Sequence, residues 1–401
     1  MTCNLSIFSN LLMPSAKIKS LILISVLATS VVSCGGAGGS GNGGIPPGPT
    51  IPPVTTVTTT GVSDALQTSL SSIRDEYGLP AVAGLLSYNN EVIFNGVDGK
   101  RSIGTDKDVT TRDVWHLGSI TKSMTATLAA RFVEKGLIQW GSRIRDIFPE
   151  LVLEGNGQFD AVTLEQLLSH HAGLQRNIDW WAVSNSSEDL MIQRREVVST
   201  ALNTAAVNNG DDYYYSNLGF VVAGAMLEAV SGKSWETLMQ EELFTPLAIT
   251  DAGFGAPGDG DDQPQGHLAQ GGSYNAMAPF QDGADNPAVI GPAGTVHMSL
   301  ASLAKYASAH MLGAFGESSL LTSASFAHLH QPMSGSDYAL GWFIQPDSIF
   351  HDGSNNLWYA KLGISVEQQI IVISVTNAGG EQANQATDKI TNEMLRIYFE
   401  G

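Results

Sequence analysis

Strand-like runs stand at both ends of the apolar body of this chain, and helix-like runs fill its middle. Ala81 to Ser87 and Glu91 to Asn95 read as strands around Asn89-Asn90, a hairpin signal. Tyr338 to Gln345, Ser348 to His351, Trp358 to Ser365 and Gln369 to Thr376 read as four more strands near the other end. Between them lie helical patterns. Met124 to Val133 is an apolar helical run, and Thr163-Leu-Glu-Gln166 is a capping-box pattern before a short helix that Gly173 ends. Leu218 to Ser231 is an apolar helix stopped by Gly232, Ser234 caps another to about Phe244, and Ser299 to Leu312 is helical. Ser63 is read as the cap of a first helix ending near Tyr77-Gly78, Gly253 to Gly272 as a loop, and Glu381 to Phe399 as a last helix. Strands in runs, joined by short loops, favour an antiparallel sheet over alternating βαβ units. The expected fold class is therefore α/β. An antiparallel sheet flanked by helices is built from both chain ends, with a mainly helical subdomain, roughly 136–295, inserted between. A cleft between two such parts is a usual place for a site.

Composition narrows the function. With 401 residues, 43% of them hydrophobic, the chain can bury a sizeable core. A formal net charge of -19 repels phosphate backbones and argues against a nucleic-acid partner. Cys3 and Cys34 are its two cysteines, and both precede the expected globular region, so neither a disulfide framework nor a Cys-based zinc site is expected there. Residues 1–34 read as a signal peptide. Lys17 and Lys19 precede an apolar stretch, Leu21 to Val32, too short to span a bilayer comfortably. It ends in Val31-Val32-Ser33-Cys34, which resembles the bacterial lipoprotein box. That resemblance implies cleavage before Cys34, lipidation of Cys34 and a membrane partner through the lipid anchor. Gly35 carries no acidic retention signal, which by the same resemblance points to the outer membrane, facing the periplasm or the cell exterior. Residues 35–60 are rich in Gly, Pro and Thr and read as a flexible tether reaching roughly 25–30 Å. Residues 61–400 form the expected globular domain. A plain secretory signal or a single anchor helix is the alternative for the N-terminus.

Ser119-Ile-Thr-Lys122 is the chemical centre of this reading. It opens the Met124 to Val133 run. Residues three apart share a helix face, so Lys122 lies one turn above Ser119, where an amine can take the hydroxyl proton. A helix start also offers unpaired N–H groups and a positive dipole end. Ser302-Leu-Ala-Lys305 fits the same pattern, but Ser299 is the better cap there, and the pair reads as an ordinary helix face.

With Tyr215-Ser-Asn217 and His351-Asp-Gly353 following in order, the chain resembles the serine β-lactamase and penicillin-binding-protein-like hydrolases, in the branch of class C β-lactamases, D-alanyl-D-alanine carboxypeptidases and related esterases. The segments VTLEQLLSHHAGL (162–174), YSNLG (215–219) and YALGWF (338–343) are similar as well. The resemblance implies a β-lactamase/transpeptidase-like fold and an acyl-enzyme mechanism without metal or cofactor. It implies Ser119 as nucleophile, with Lys122 and Tyr215 as the proton-transfer pair. Asn217, His351, Gly353 and Ser354 bind substrate, and the backbone N–H groups of Ser119 and Ser354 form the oxyanion hole. Whether Lys122 or Tyr215 is the base stays open. A free lysine, with a pKa of about 10.4, is charged at neutral pH and must be lowered toward about 7–8 to serve.

The third motif departs from the β-lactamase pattern, which starts with lysine followed by a hydroxyl residue. Histidine is mostly neutral at pH 7. If Asp352 faces the cleft, carboxylate-bearing substrates are disfavoured; if it faces away, Ser354 could supply a hydroxyl and a peptidase remains open. The substrate expected is a small molecule or peptide carrying an ester or amide. Three rival patterns compete locally: Tyr88-Asn-Asn90, His171-Ala-Gly173 and Lys361-Leu-Gly363. Two other functions compete: a catalytically weak protein that binds penicillin or cell-wall fragments, and a metal hydrolase using His170, His171, His328 and His330.

Overall fold

A computed structural model describes residues 59–400 except 186, 188, 211 and 261. The expected signal peptide, Cys34 and nearly all of the expected tether lie outside the described residues. In chain order the elements are α1 (Thr59–Glu76), β1 (Ala81–Tyr88), β2 (Glu91–Gly99), β3 (Trp115–His116) and α2 (Thr121–Glu134). Helices α3 (Ile144–Ile147), α4 (Pro149–Glu154), α5 (Leu164–Leu168), α6 (Trp180–Ser184), α7 (Leu190–Asn203), α8 (Asn217–Ser231) and α9 (Trp235–Met239) follow. Next come β4 (Gly253–Phe254), β5 (Gly266–Gln270), β6 (Ser273–Met277), α10 (Gly291–Gly294), β7 (Val296–Met298), α11 (Leu300–Gly313) and α12 (Ser323–Leu329). The chain closes with β8 (Phe343–Gln345), β9 (Ser348–Ser354), β10 (Tyr359–Ser365), β11 (Ile370–Thr376) and α13 (Glu381–Glu400).

The two ends of the body meet in one antiparallel sheet of order β2-β1-β11-β10-β9-β8. Leu85 lies opposite Ile373 where the N-terminal hairpin joins the C-terminal strands. Both β1 and β11 are almost wholly buried, because helices cover both faces. Ile371, Ile373 and Val375 of β11 join the main core with Leu303 and Tyr306 of α11. The alternate residue Ser374 turns the other way and bonds Thr387 and Thr391 of α13. Asn89 and Asn90 take positive φ (50° and 61°) in the β1–β2 turn, so the Tyr88 pattern is a hairpin and not a site.

Three expected boundaries move. The first helix begins at Thr59, four residues before Ser63, since the apolar face of Leu66, Leu70 and Ile73, not a single cap, decides its extent. The expected strand Tyr338 to Gln345 shortens to Phe343–Gln345, with Tyr338 bridging Phe343 across a turn. Gly341 makes that turn at φ +78°, and a Cβ there would lie 2.7 Å from the Cα of Ser123 and 2.8 Å from the carbonyl of Lys122. The expected Gly253 to Gly272 loop contains β4, paired with β7, and β5, paired with β6 across Gly271-Gly272. Those pairings depend on distant partners or on two positive-φ glycines, which the polar composition hides.

The contact that positions the site is between β9 and the 3-10 turn Gly118–Ile120 that opens α2. Both partners are stripped of side chains where they meet. A Cβ on Gly353 would lie 1.9 Å from the Leu117 carbonyl and 2.8 Å from the Ser119 amide nitrogen. One on Gly118, at φ +50°, would lie 2.3 Å from the Ser354 amide nitrogen. Gly353→Ala should therefore push β9 off the turn and lower stability by about 1–3 kcal/mol, the usual cost of overpacking. Gly61→Ala, in α1 with open space around it, should instead raise stability by about 0.5–1 kcal/mol. Urea midpoints of the two variants should move in opposite directions.

Candidate active site

Ser119 is the middle residue of the 3-10 turn and half-buried, while Lys122 is fully buried in the first turn of α2. Lys122 Nζ lies 3.0 Å from Ser119 Oγ and 2.6 Å from the carbonyl of Ala293. The segment before α10 is itself tied down. Arg194, buried against Glu228 and Glu236, donates to the carbonyls of Ala288 and Val289 just before α10. Burial drives the Lys122 pKa well below the usual lysine value, and the charge of Arg176 adds to the shift. An uncharged amine spends one N–H on Ala293 and keeps its lone pair for the Ser119 hydroxyl proton. That is the arrangement a general base requires.

Tyr215 sits just outside α8, whose cap Ser216 accepts from the Gly219 amide and donates to the Gln175 carbonyl. Its ring centroid is 4.9 Å from Lys122 Nζ, 5.1 Å from the Arg176 guanidinium carbon and 4.3 Å from the His170 ring. Ser119, Lys122 and Tyr215 thus share one crevice. Asn217 lies at the first residue of α8 and donates to Asn177 at 2.8 Å. The carbonyl of Ala293, not Asn217, holds Lys122.

The third motif lies on β9. His351 is buried, with Nδ1 2.6 Å from the Asp352 carbonyl and Nε2 3.0 Å from the Tyr338 hydroxyl. Nδ1–H therefore donates to the carbonyl, and Nε2 accepts from Tyr338. Burial, reinforced by Lys122, pushes its pKa down to about 3, so the ring is neutral. Asp352 turns to the opposite face, where Lys361 Nζ bonds it at 2.9 Å and reaches Asp388 of α13 at 2.8 Å. This settles the orientation left open by the sequence: Asp352 faces away from Ser119, and Lys361 is its counter-ion there. Gly353 is the close-contact glycine. Ser354 places its backbone nitrogen beside Gly118 and its exposed hydroxyl 3.0 Å from the Asn356 amide, which donates to it.

The second Ser-x-x-Lys pattern has no such surroundings. Ser302 receives its cap from Ser299, and Lys305 donates to the Ala248 carbonyl. The four histidines of the metal reading do not converge. His170 packs on Tyr215 and Tyr338, His171 bonds the Ser169 carbonyl, His328 meets Glu165 and His330 meets His310. Among the described residues no cluster of three or more metal-ligating side chains forms.

Sequence reasoning missed several participants. The Ala293 carbonyl is main chain and leaves no residue-type signal. Tyr338 lies inside a similar segment but was not given a role. His170, at φ +66°, has Nδ1 accepting from the Ser216 amide at 3.1 Å and backs the Tyr215 ring. Burial lowers its pKa well below the histidine norm, so it too is neutral.

The beta-lactamase family profile matches residues 66–393. The chain belongs to the beta-lactamase family. Among its relatives is penicillin-binding protein 4 of Amycolatopsis lactamdurans, 24% identical over 336 residues that span 78% of this chain and 84% of that one. A class C beta-lactamase structure from Rhodobacter sphaeroides has a TM-score of 0.66 at 18% identity, covering 83% of this chain and 99% of the other. EstCE1, a hydrolase with promiscuous acyltransferase activity, has a TM-score of 0.70 at 15% identity, covering 84% and 100%. The α/β fold built from both chain ends is the one these neighbours share.

Lys122 gives a signed prediction. Below its lowered pKa the amine is protonated and cannot accept, so the acylation rate should rise with pH through that value. Lys122→Arg, which stays cationic, should reduce the rate about 10²–10⁴-fold at neutral pH, measured by stopped-flow acylation. His351 gives a second. Its folded pKa lies below the ordinary 6.5, so between 6.5 and about 3 the unfolded chain binds a proton that the native chain refuses. This residue's contribution to stability should be intact above pH 6.5 and should decline as pH falls through that interval. Urea midpoints at a series of pH values, compared with those of His351→Phe, read the difference.

Proposed function

We propose that this protein is a serine hydrolase that cleaves ester or amide bonds through an acyl-enzyme on Ser119. The observation that carries the reading is the 3.0 Å contact between Ser119 Oγ and the amine of Lys122, a fully buried lysine whose pKa burial lowers. Oγ attacks the substrate carbonyl as its proton passes to Lys122. The amides of Ser119 and Ser354, brought together by the glycine contact, receive the developing oxyanion. The proton then returns to the leaving group through Lys122 or the phenol of Tyr215. Water releases the acyl group by the reverse path.

Substrate class follows from charge. His351 is neutral and locked between Tyr338 and its own neighbouring carbonyl, and Asp352 is spent on Lys361. No cation on β9 stands ready for a substrate carboxylate, which favours neutral acyl esters. A D-amino-acid peptide is the second reading. It is supported by the exposed Ser354 hydroxyl and by Arg176 at the rim beside Tyr215. The name of the Amycolatopsis relative favours a penicillin-binding role, and that of EstCE1 favours acyl transfer. A catalytically weak binder would acylate without turnover. We further propose export and anchoring through a lipid on Cys34, which Cys34→Ala should release from the membrane fraction.

Fluorophosphonate and fluorescent penicillin should label the wild type and not Ser119→Ala. p-Nitrophenyl esters should turn over faster than D-Ala-D-Ala peptides. Equal labelling of Ser119→Ala would sink the reading, and label without turnover would leave the weak binder.

A further inference from the structure

Behind the nucleophile lies a polar cluster that the mechanism above does not use. His116, on β3, is buried and two residues before Gly118. Its Nδ1 is 3.1 Å from the Gly118 amide and must accept from it. Its proton therefore lies on Nε2, 2.9 Å from Asp285 Oδ2, to which it donates. The other oxygen, Asp285 Oδ1, accepts from Asn355 Nδ2 at 2.8 Å and from the Asn286 amide at 2.7 Å. Asn355 is the residue after Ser354, and its own Oδ1 accepts from the Leu357 amide at 3.1 Å.

One carboxylate thus grips both walls of the oxyanion hole. Through His116 it fixes the turn carrying the Ser119 amide, and through Asn355 it fixes the strand end carrying the Ser354 amide. The two walls come from segments far apart in the chain. The glycines at 118 and 353 let them approach but supply no bond that sets their spacing. The Asp285 side chain is 9% exposed, so its hydrogen bonds are shielded from water and hold their geometry.

We propose that Asp285 is a positioning residue for the oxyanion hole, acting through His116 and Asn355 on the amides of Ser119 and Ser354. It touches no reacting atom. Its effect falls on the transition state, where the oxyanion forms, and not on ground-state binding. Misplacement of one donor by a fraction of an ångström weakens the bond that forms only as charge develops. This inference rests on the acyl-enzyme reading of Ser119.

The test follows fluorophosphonate acylation and p-nitrophenyl ester turnover in Asp285→Ala, Asp285→Asn, Asn355→Asp and the double variant Asp285→Asn/Asn355→Asp, with thermal unfolding beside each. Asp285→Ala should lower kcat and the acylation rate about 100-fold, the scale of a displaced catalytic group or a lost oxyanion donor, with KM within about twofold. Affinity for a boronic acid, which mimics the tetrahedral adduct, should fall with kcat. Asn355→Asp alone sets two carboxylates face to face and should be impaired as well. In the double variant the donor and acceptor exchange places: the residue 285 amide donates to the residue 355 carboxylate while its oxygen still accepts from His116. That swap should recover more activity than the product of the single effects allows, short of wild type because the Asn286 amide loses its acceptor. Asp285→Ala acylating at the wild-type rate would overturn the proposal while leaving the Ser119 reading intact. So would a loss confined to KM, or a boronic acid affinity unchanged while kcat falls. If Asp285→Ala fails to fold, the swap decides: no recovery in a folded double variant overturns the clamp. A wild type that takes no label on Ser119 overturns both this inference and the reading beneath it.

Discussion

The site depends on an amine taken out of water. Lys122 has one backbone carbonyl and one hydroxyl within reach and no carboxylate partner. An ammonium at that position would lose its hydration and gain little in return, so burial shifts the balance toward the neutral form. Such a lysine opposes folding: below its normal pKa the unfolded chain binds a proton the native state refuses. The rest of the core must offset that cost. Around it stand the rings of Tyr215 and Phe220, which add to its burial, and the positive charge of Arg176, which disfavours a second cation nearby.

A second layer keeps the groups around that amine in place. Arg194 is buried with Glu228 and Glu236 and spends its remaining donors on the carbonyls before α10. These bonds tie the segment that leads into α10. His170 supports the Tyr215 ring and the Ser216 amide, and Asp285 ties the turn before α2 to the end of β9. Among the described residues, the buried Arg194, Glu228, Asp113 and Lys361 are all paired. The group left unpaired, Lys122, is the one whose neutral form has a use.

Much of this was legible in the sequence, and the reasons differ by element. Ser119 and Lys122 were visible because helical spacing alone sets their distance. The sheet was visible because β1, β10 and β11 are long buried runs, and the family resemblance of residues 61–400 agrees with the profile match at 66–393. Tyr215 was visible through Tyr215-Ser-Asn217, which follows Ser119-Ile-Thr-Lys122 in the order of the family that the chain resembles. The short strand β4 was not, because its pairing with β7 is set by a distant partner, and the strand read at Tyr338 to Gln345 came out too long because Gly341 turns the chain within it. The side to which Asp352 points could not be read either, because the flanking residues are apolar on both faces of β9. Main-chain participants such as the Ala293 carbonyl have no letter in the sequence. Asp285 lies in a polar connection whose composition reads as loop, and its partners are 169 and 70 residues away.

The electrostatics of the third motif set this chain apart from a carboxylate-gripping pattern. His351 cannot supply a cation near neutral pH, and the aspartate after it serves the opposite face of the sheet. What remains exposed near the site is the Ser354 hydroxyl and the Arg176 guanidinium, with the neutral His351 imidazole buried behind them. The chemistry of the nucleophile and the choice of substrate are thus carried by different parts of the same fold.

The most direct measurement is an NMR titration of the Lys122 side chain, assigned with Lys122→Met and with the fold checked at each pH. The account predicts a neutral amine near neutral pH, with protonation appearing as the solution is acidified. An ammonium persisting to the ordinary lysine pKa of about 10.4 would contradict it.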